Sequence, residues 1–159
     1  METSTIHRDT TVAKKKSLPA ALWALTISAF AIGTTEFVIV GLLSTVASDL
    51  GTSLTSAGLL VSLYAIGVAI GAPILTALTG KIPRKQLLMG IMLLFIIGNG
   101  LAAISPSFEL LLLSRVVTGF AHGVFFSIGS TIAASLVPKD KRATAISIMF
   151  AGLTVAMCL

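Results

Sequence analysis

Three ionisable side chains stand inside long uncharged stretches of the sequence: Glu36, Arg115 and His122. An ionisable group among apolar residues is costly unless it faces a partner or water. A carboxyl group in such a place can take up or release a proton when its hydration or its distance from a cation changes. Histidine titrates near neutral pH. These residue types therefore predict proton binding, with Glu36 and Arg115 as opposite charges that influence each other.

A structural role is the alternative for each of these residues. Glu36 and Arg115 can form a structural ion pair, and the long Arg115 side chain can extend toward water near a helix end. His122 can make a polar hydrogen bond between two helices. The short side chain of Glu36 cannot reach far, so a structural role accounts for it less well.

The stretches that hold these residues have the composition and length of membrane spans. Only 11% of the 159 residues are charged, whereas soluble domains carry about 25%. A helix needs about 20 apolar residues to cross a bilayer, and a span must satisfy its backbone hydrogen bonds internally. The sequence predicts an all-α membrane protein with a tail, residues 1–17, and a membrane domain, residues 18–159. The predicted spans are 20–46, 55–78, 86–104, 108–137 and a partial fifth at 142–159.

The basic residues indicate the orientation of these spans. Ten of the eleven Lys and Arg residues lie before the first span or in the connections after the second and fourth spans. The other two connections hold only the acidic residues Asp49 and Glu109. Since cytoplasmic connections are enriched in Lys and Arg, the N-terminus is predicted to be cytoplasmic. This distribution also accounts for the net charge of +5 without a nucleic-acid partner.

The depth of each ionisable residue follows from the helical rise of about 1.5 Å per residue. Glu36 lies roughly 15 Å below the outer end of the first span, and Arg115 roughly 10 Å below the outer end of the fourth. His122 follows Arg115 by two turns on the same helix face, with Gly119 between them. We therefore expect Glu36 and Arg115 at comparable depths on different helices.

Small residues predict where helices approach closely. Gly67 and Gly71 form a GxxxG pattern in the second span, and Gly119 and Gly123 form another in the fourth. In lipid, such faces allow close contact between helix backbones. The pattern predicts a helical bundle.

Several other kinds of protein are excluded. The sequence contains no nucleophile–base–orienter set, phosphate-binding loop or metal-ligand spacing, so neither an enzyme nor a metal or cofactor site is predicted. Cys158 is the only cysteine and cannot form an internal disulfide. The first apolar stretch is longer than the apolar core of about 7–15 residues in a signal peptide.

Three segments resemble the N-terminal half of a transporter of the major facilitator superfamily: "GTTEFVIVGLLSTVASDLG", "YAIGVAIGAPILTALTGKIPRK" and "SRVVTGFAHGVFFSIGSTIAASLVPKDKRATAISIMFAGLTVA". The similarity covers about residues 18–157, and the closest branch contains twelve-span, proton-coupled bacterial exporters of sugars, drugs and purine nucleosides. The resemblance implies two six-helix halves around a central cavity, each built from inverted repeats of three helices. It also implies a location in the bacterial inner membrane.

The resemblance further implies residue roles. Arg115 and Gly119 match the fourth-helix motif, in which the arginine is linked to proton coupling, and Glu36 matches the acidic position of the first helix. His122, Gly119 and Phe126 are candidates for the cavity or for solute binding.

The connection between the second and third spans resembles the cytoplasmic gating loop of the family. Its candidate residues here are Gly80, Lys81, Arg84 and Lys85. Thr76 and Gly80 stand where the family usually has a glycine and an aspartate, so the usual charge relay is absent.

The resemblance implies a complete member of roughly 400 residues in two halves, whereas this sequence stops in its fifth predicted span. We therefore expect part of a secondary transporter that exports a small organic solute in exchange for protons. Its expected partners are the lipid bilayer, the solute, protons and a C-terminal half. The alternatives are a truncated membrane protein that does not transport and a proton-driven uptake carrier. The sequence does not predict the substrate.

Overall fold

A computed structural model describes residues 19–78 and 82–159, and in this part of the chain all regular secondary structure is helical. The predicted tail, residues 1–17, and the loop residues Gly80 and Lys81 lie outside the described residues. The α-helices are α1 (Ala20–Gly41), α2 (Leu43–Asp49), α3 (Leu54–Ala57), α4 (Leu59–Leu78), α5 (Arg84–Ala103), α6 (Phe108–Ser135) and α7 (Arg142–Met157), with a 3₁₀ turn at Lys139–Lys141.

Four helical segments in the described part are long and apolar enough to cross a membrane. They are Ala20–Gly41, Leu54–Ile74, Arg84–Ala103 and Phe108–Ser135. Helix α7 follows with 16 residues. Large apolar side chains point away from the protein on several helices, as at Ile27 and Met89, which are 67% and 64% exposed. The chain is an all-α membrane protein, as the sequence predicts.

The first two predicted spans differ in detail from the helices observed. The stretch 20–46 is divided at Leu42, whose N–H is shared between the carbonyls of Val38 at 3.1 Å and Ile39 at 3.2 Å. Helix α1 ends at Gly41, and α2 begins at Leu43. The stretch 55–78 is divided at Gly58, between α3 and α4.

Short polar segments start and end the helices. Ser53 accepts a hydrogen bond from the N–H of Ser56 at 3.0 Å and caps α3. Ser107 accepts one from the N–H of Leu110 at 3.3 Å and caps α6. Gly51 in the turn between α2 and α3 has φ +61, a conformation that glycine adopts without the clash of a β-carbon. Serine caps and a glycine turn therefore set the connections on this side of the bundle.

Helix α6 is the central helix of the bundle. Sixty-one per cent of an 18-residue apolar stretch of α6 is buried, compared with 17–28% for the corresponding stretches of the other three spans. It packs against α4, α5 and α7, while α1 packs mainly against α7. Its side chains Val124 and Phe125 are 1% exposed and join the apolar core with Leu22 of α1 and Met149 of α7. Side chains on different faces of α6 therefore contact different neighbouring helices.

The two GxxxG patterns meet in one contact between α4 and α6. A β-carbon added at Gly67 would lie 2.7 Å from the carbonyl oxygen of Val116. One added at Gly119 would collide with the carbonyl oxygen of Tyr64, and one at Gly123 with that of Val68. The backbones therefore touch through glycines contributed by both helices, which is the close approach that the patterns predict.

Replacement of Gly119 by alanine is expected to destabilise the bundle by about 1–3 kcal/mol, because the new methyl group must push α4 away. Gly100→Ala on α5 is the matched control, since a β-carbon there meets no atom within 4 Å. That control is expected to be neutral or to stabilise by up to about 1 kcal/mol through helix propensity. Unfolding in detergent followed by helical circular dichroism measures both. Equal stabilities of the two variants would contradict the close contact.

Candidate functional site

Ionisable and polar side chains from three helices meet inside the bundle. Glu36 comes from α1, Tyr64 from α4, and Arg115 and His122 from α6. Arg115, Tyr64 and His122 are 3%, 2% and 8% exposed, respectively. The Glu36 side chain is 30% exposed. The four residues form a continuous row of contacts, which we call the polar row.

His122 is at the centre of the polar row. Its Nδ1 lies 2.8 Å from the Tyr64 hydroxyl, within hydrogen-bond distance. The same Nδ1 lies 3.6 Å from Oε2 of Glu36. The prediction that His122 forms a polar link between helices describes this arrangement, and the link joins α6 to both α1 and α4.

Arg115 is at the other end of the polar row. Its guanidinium carbon lies 4.2 Å from the centre of the Tyr64 ring, in a cation–π contact. Among the described residues its Nε has no hydrogen-bond partner, and no carboxylate forms an ion pair with it within 4.0 Å. The Arg115 charge is therefore buried with an aromatic face as its nearest compensation.

Glu36 and Arg115 are not in direct contact. They form no ion pair within 4.0 Å, and the contacts that connect them pass through His122, 3.6 Å from Glu36, and the Tyr64 ring, 4.2 Å from the Arg115 guanidinium carbon. Glu36 and Arg115 lie on different helices, α1 and α6. Their role in proton coupling stays a prediction. Their geometry is that of a relay through two intermediate side chains.

A cavity of about 350 Å³ adjoins the Arg115 end of the polar row. Its wall includes Thr34 from α1, Asn99 from α5 and Arg115 from α6. The Thr34 hydroxyl donates to the carbonyl oxygen of Phe30, 3.0 Å away, and the Asn99 amide donates to that of Phe95, 2.8 Å away. This cavity is large enough for several water molecules, each of which occupies about 30 Å³ in the liquid. Arg115 therefore borders open space on the side that faces α1 and α5.

Phe126 lies against the opposite side of the histidine. Its ring centre is 4.8 Å from that of His122 and 4.8 Å from that of Phe150 on α7. Phe126 is 9% exposed. It therefore closes the apolar side of the polar row, and a role in solute binding stays a prediction.

The other candidate residues lie away from the row or beside it. Gly119 faces the backbone of Tyr64 in the α4–α6 contact, which gives it a packing role, and solute binding by Gly119 stays a prediction. Arg84 and Lys85 are exposed in the first turn of α5. Gating by these two residues is not tested by their positions. Within residues 19–78 and 82–159 the structure contains no group of three or more side chains that could hold a metal ion.

Tyr64 is the residue of the row that the sequence analysis missed. It is the only tyrosine in the chain and the one hydroxyl-bearing aromatic side chain among its spans. A lone phenol in the middle of an apolar span was the available signal, because a buried tyrosine hydroxyl usually finds a hydrogen-bond partner. Its partner, His122, is 58 residues away in the sequence.

The arrangement is suited to moving a proton. A carboxyl group, an imidazole and a phenol stand in sequence, and all three can exchange donor and acceptor roles. The guanidinium stays charged and supplies a fixed positive field at the end of the row. No nucleophile is placed beside a base, so the described row favours proton binding over covalent chemistry.

Comparisons with known proteins agree with this architecture. The family model of the Major Facilitator Superfamily matches residues 25–159. The chain is 62% identical over 146 residues to the MFS-type transporter YtbD of Bacillus subtilis, covering 92% of this chain and 37% of that protein. It is 49% identical over 135 residues to the inner membrane transport protein YdhP of Escherichia coli, covering 85% and 35%, respectively.

A third relative carries a transport direction in its name. The chain is 37% identical over 138 residues to a protein of Helicobacter pylori named as a probable sugar efflux transporter, covering 87% of this chain and 35% of that protein. The chain thus spans about a third of the length of the curated relatives it matches. The resemblance drawn from the sequence is confirmed, and so is the predicted class of fold. With a family match over most of its residues and a bundle of apolar spans built as described, this chain belongs to the Major Facilitator Superfamily.

Proposed function

We propose that the full-length product of this gene is a secondary transporter that exports a small organic solute in exchange for protons. The observation that carries the proposal is the contact between Glu36 of α1 and His122 of α6, 3.6 Å apart inside the bundle. Burial of an ionisable residue at such depth costs free energy, and such residues usually belong to ion or proton pathways. In this proposal Glu36 binds the proton and Arg115 sets the field around it.

The geometry supports a connection between proton binding and a change of shape. Glu36 is partly exposed, whereas Arg115 and His122 are buried. Glu36 belongs to α1, whereas Arg115 and His122 belong to α6. These two helices have little direct contact with each other, because α1 packs mainly on α7 and α6 packs mainly on α4. A small shift between α1 and α6 would therefore change the hydration of Glu36 more than that of Arg115. Such a difference is what links proton release to one side of the membrane.

The proposal also includes the direction of transport, the side of the membrane on which the N-terminus lies, and the inner membrane as the location. A relative named for sugar efflux supports export, and a relative named as an inner membrane transport protein supports that location. Exposed basic residues stand where α5 begins, at Arg84 and Lys85, and where α7 begins, at Lys141 and Arg142. Both places lie on the side of the bundle where α1 also begins. The bias of basic residues therefore supports a cytoplasmic N-terminus.

Inside-out vesicles test the proposed exchange. Vesicles from cells that express the full-length product are energised so that their interior becomes acidic, and a pH-sensitive dye reports the gradient. Because a relative is named for sugar efflux, neutral mono- and disaccharides are the first solutes to add. We expect a transported sugar to enter the vesicles while protons leave, which lowers the gradient relative to vesicles without the protein. Sugar entry that continues unchanged after the gradient is collapsed would contradict the exchange.

A further inference from the structure

One nitrogen atom of His122 faces two possible partners. Nδ1 lies 2.8 Å from the Tyr64 hydroxyl and 3.6 Å from Oε2 of Glu36. In a neutral imidazole, a ring nitrogen carries either one hydrogen or one lone pair, so Nδ1 can form only one short hydrogen bond at a time. The two neighbours therefore compete for the same atom.

The charge of Glu36 decides which partner is suitable. An ionised carboxylate can only accept, so it favours the tautomer that carries hydrogen on Nδ1. A protonated Glu36 no longer attracts that hydrogen, so the tautomer with hydrogen on Nε2 is favoured. Its Nδ1 accepts from the Tyr64 O–H, because the hydroxyl at 2.8 Å is closer than Oε2 of Glu36 at 3.6 Å. Each state of Glu36 thus favours a different tautomer of the histidine.

We propose that His122 relays a proton to Glu36 and that Tyr64 is the positioning residue that holds the imidazole after delivery. An incoming proton binds Nε2 while the proton on Nδ1 passes to the Glu36 carboxylate. One proton enters the row, one carboxylate becomes neutral, and the imidazole is neutral before and after. The free lone pair of Nδ1 then accepts a hydrogen bond from the Tyr64 O–H. This relay rests on the proposed function because it uses Glu36 as the proton-binding residue.

The packing of Tyr64 fits a positioning role. Its side chain is 2% exposed, the Arg115 guanidinium covers one face of the ring at 4.2 Å, and the glycine at position 119 lets α6 approach its backbone. A phenol held on these sides cannot follow His122 if the imidazole moves. The hydroxyl is therefore a fixed reference point, while partly exposed Glu36 is the movable partner.

The charged and titratable side chains of the polar row reach the imidazole from three helices. Glu36 faces it from α1 and Tyr64 from α4, and Arg115 lies on its own helix. From α7 the ring contact passes through Phe126 to Phe150, which do not titrate. Within the described residues, the charge that changes next to His122 is that of Glu36.

Nitrogen NMR of the histidine ring tests the relay on the 159-residue chain. The chain has two histidines, so His7→Gln leaves His122 as the only labelled residue when ¹⁵N-histidine is supplied. The chain is placed in lipid nanodiscs, and the ring ¹⁵N shifts report which nitrogen carries hydrogen. We expect mostly the Nδ1–H tautomer at the high end of the pH range in which the chain stays folded. We expect mostly the Nε2–H tautomer at its low end, and in Glu36→Gln at every pH.

Tyr64→Phe isolates the hydroxyl, because the ring under Arg115 remains. In the Glu36→Gln background, the ratio of Nε2–H to Nδ1–H tautomer is expected to fall about two- to tenfold, which is what a hydrogen bond of about 0.5–1.5 kcal/mol supplies. Ser62→Ala is the matched control, since it removes a hydroxyl from the same helix that bonds only to its own turn, at Gly58. Circular dichroism and the fluorescence of Trp23, the only tryptophan, verify that each variant is folded.

Three results would overturn the relay. They are the same tautomer in the wild-type and Glu36→Gln chains over the whole pH range, a doubly protonated ring whenever Glu36 is ionised, or an unchanged ratio in folded Tyr64→Phe. The failure of the relay can be told from the failure of the proposed function. If the tautomer does not respond while exchange in vesicles still needs Glu36, only the relay is wrong. If the tautomer responds but no exchange occurs, only the transport proposal is wrong.

Discussion

Replacement of Arg115 by methionine is expected to make the chain more stable while removing its role in proton coupling. Nε of Arg115 has no hydrogen-bond partner among the described residues, and the side chain is only 3% exposed. Replacing a whole buried ion pair by apolar residues of similar volume is often neutral or stabilising by about 1–4 kcal/mol, and among the described residues Arg115 has no ion-pair partner that its replacement would leave uncompensated. The cation–π contact with Tyr64 offsets about 0.5–2 kcal/mol of this gain. We therefore expect a net increase of about 1–2 kcal/mol in the free energy of unfolding.

Unfolding of the 159-residue chain in detergent, followed by circular dichroism, measures this change. Methionine suits the position because it is unbranched and fills irregular space well. Arg84→Met is the matched control: that arginine is exposed at the start of α5, and its replacement is expected to change stability by less than about 0.5 kcal/mol. A loss of stability in Arg115→Met would show that the guanidinium holds the bundle together, and a structural role for Arg115 would then be preferred.

The same substitution has the opposite effect on transport. In the full-length product, Arg115→Met is expected to leave solute binding possible but to remove the positive field near Glu36. A residue that stabilises neither the fold nor a hydrogen-bond network, yet is required for activity, is characteristic of a functional site. The two measurements together therefore separate a structural from a functional arginine more clearly than either alone.

Glu36→Gln is expected to abolish proton-driven accumulation while preserving downhill movement of the solute. Glutamine keeps the size and polarity of the side chain, but it has no proton to exchange near neutral pH. If one proton is exchanged for one neutral solute, a potential of about 100 mV supplies about 2.3 kcal/mol, enough for a roughly fiftyfold solute ratio. In Glu36→Gln we expect this ratio to fall to about one. Steady-state solute distribution in energised inside-out vesicles measures it.

Glu109→Gln is the matched control for this experiment. Glu109 undergoes the same chemical change but lies exposed in the first turn of α6, away from His122. We expect its full accumulation ratio to be retained. Retention of proton-driven accumulation by Glu36→Gln would remove Glu36 from the mechanism, whatever the tautomer of His122.

The polar row shows how far sequence reasoning reached and where it stopped. Glu36, Arg115 and His122 are recognisable from the sequence because each interrupts an apolar stretch, where an ionisable residue is rare whichever residues are its partners. Tyr64 is not recognisable in this way. A tyrosine is tolerated in many apolar environments, and its importance here comes from a partner 58 residues away.

The helical spans and their close contacts were determined by the sequence itself. The transfer free energy of apolar residues accumulates along the chain, so length and composition are enough to predict four spans and an all-α fold. Gly67 and Gly119 likewise predict close helix contact, because their missing side chains act locally. The connections were less predictable, since the predicted span 20–46 is divided at Leu42, an apolar residue inside an apolar stretch.

Only the tertiary structure decided which ionisable groups meet. Helical rise places Glu36 and Arg115 at comparable depths, but it leaves open how far each helix is rotated about its axis. The glycine contact between α4 and α6 sets that rotation, because it brings Tyr64 under Arg115 and beside His122. Helix α1 is positioned separately, by close packing on α7 through Gly33 and Gly152, and there Glu36 lies 3.6 Å from the histidine. Rotation of one helix against another depends on packing across the whole contact, and no local pattern in the sequence encodes it.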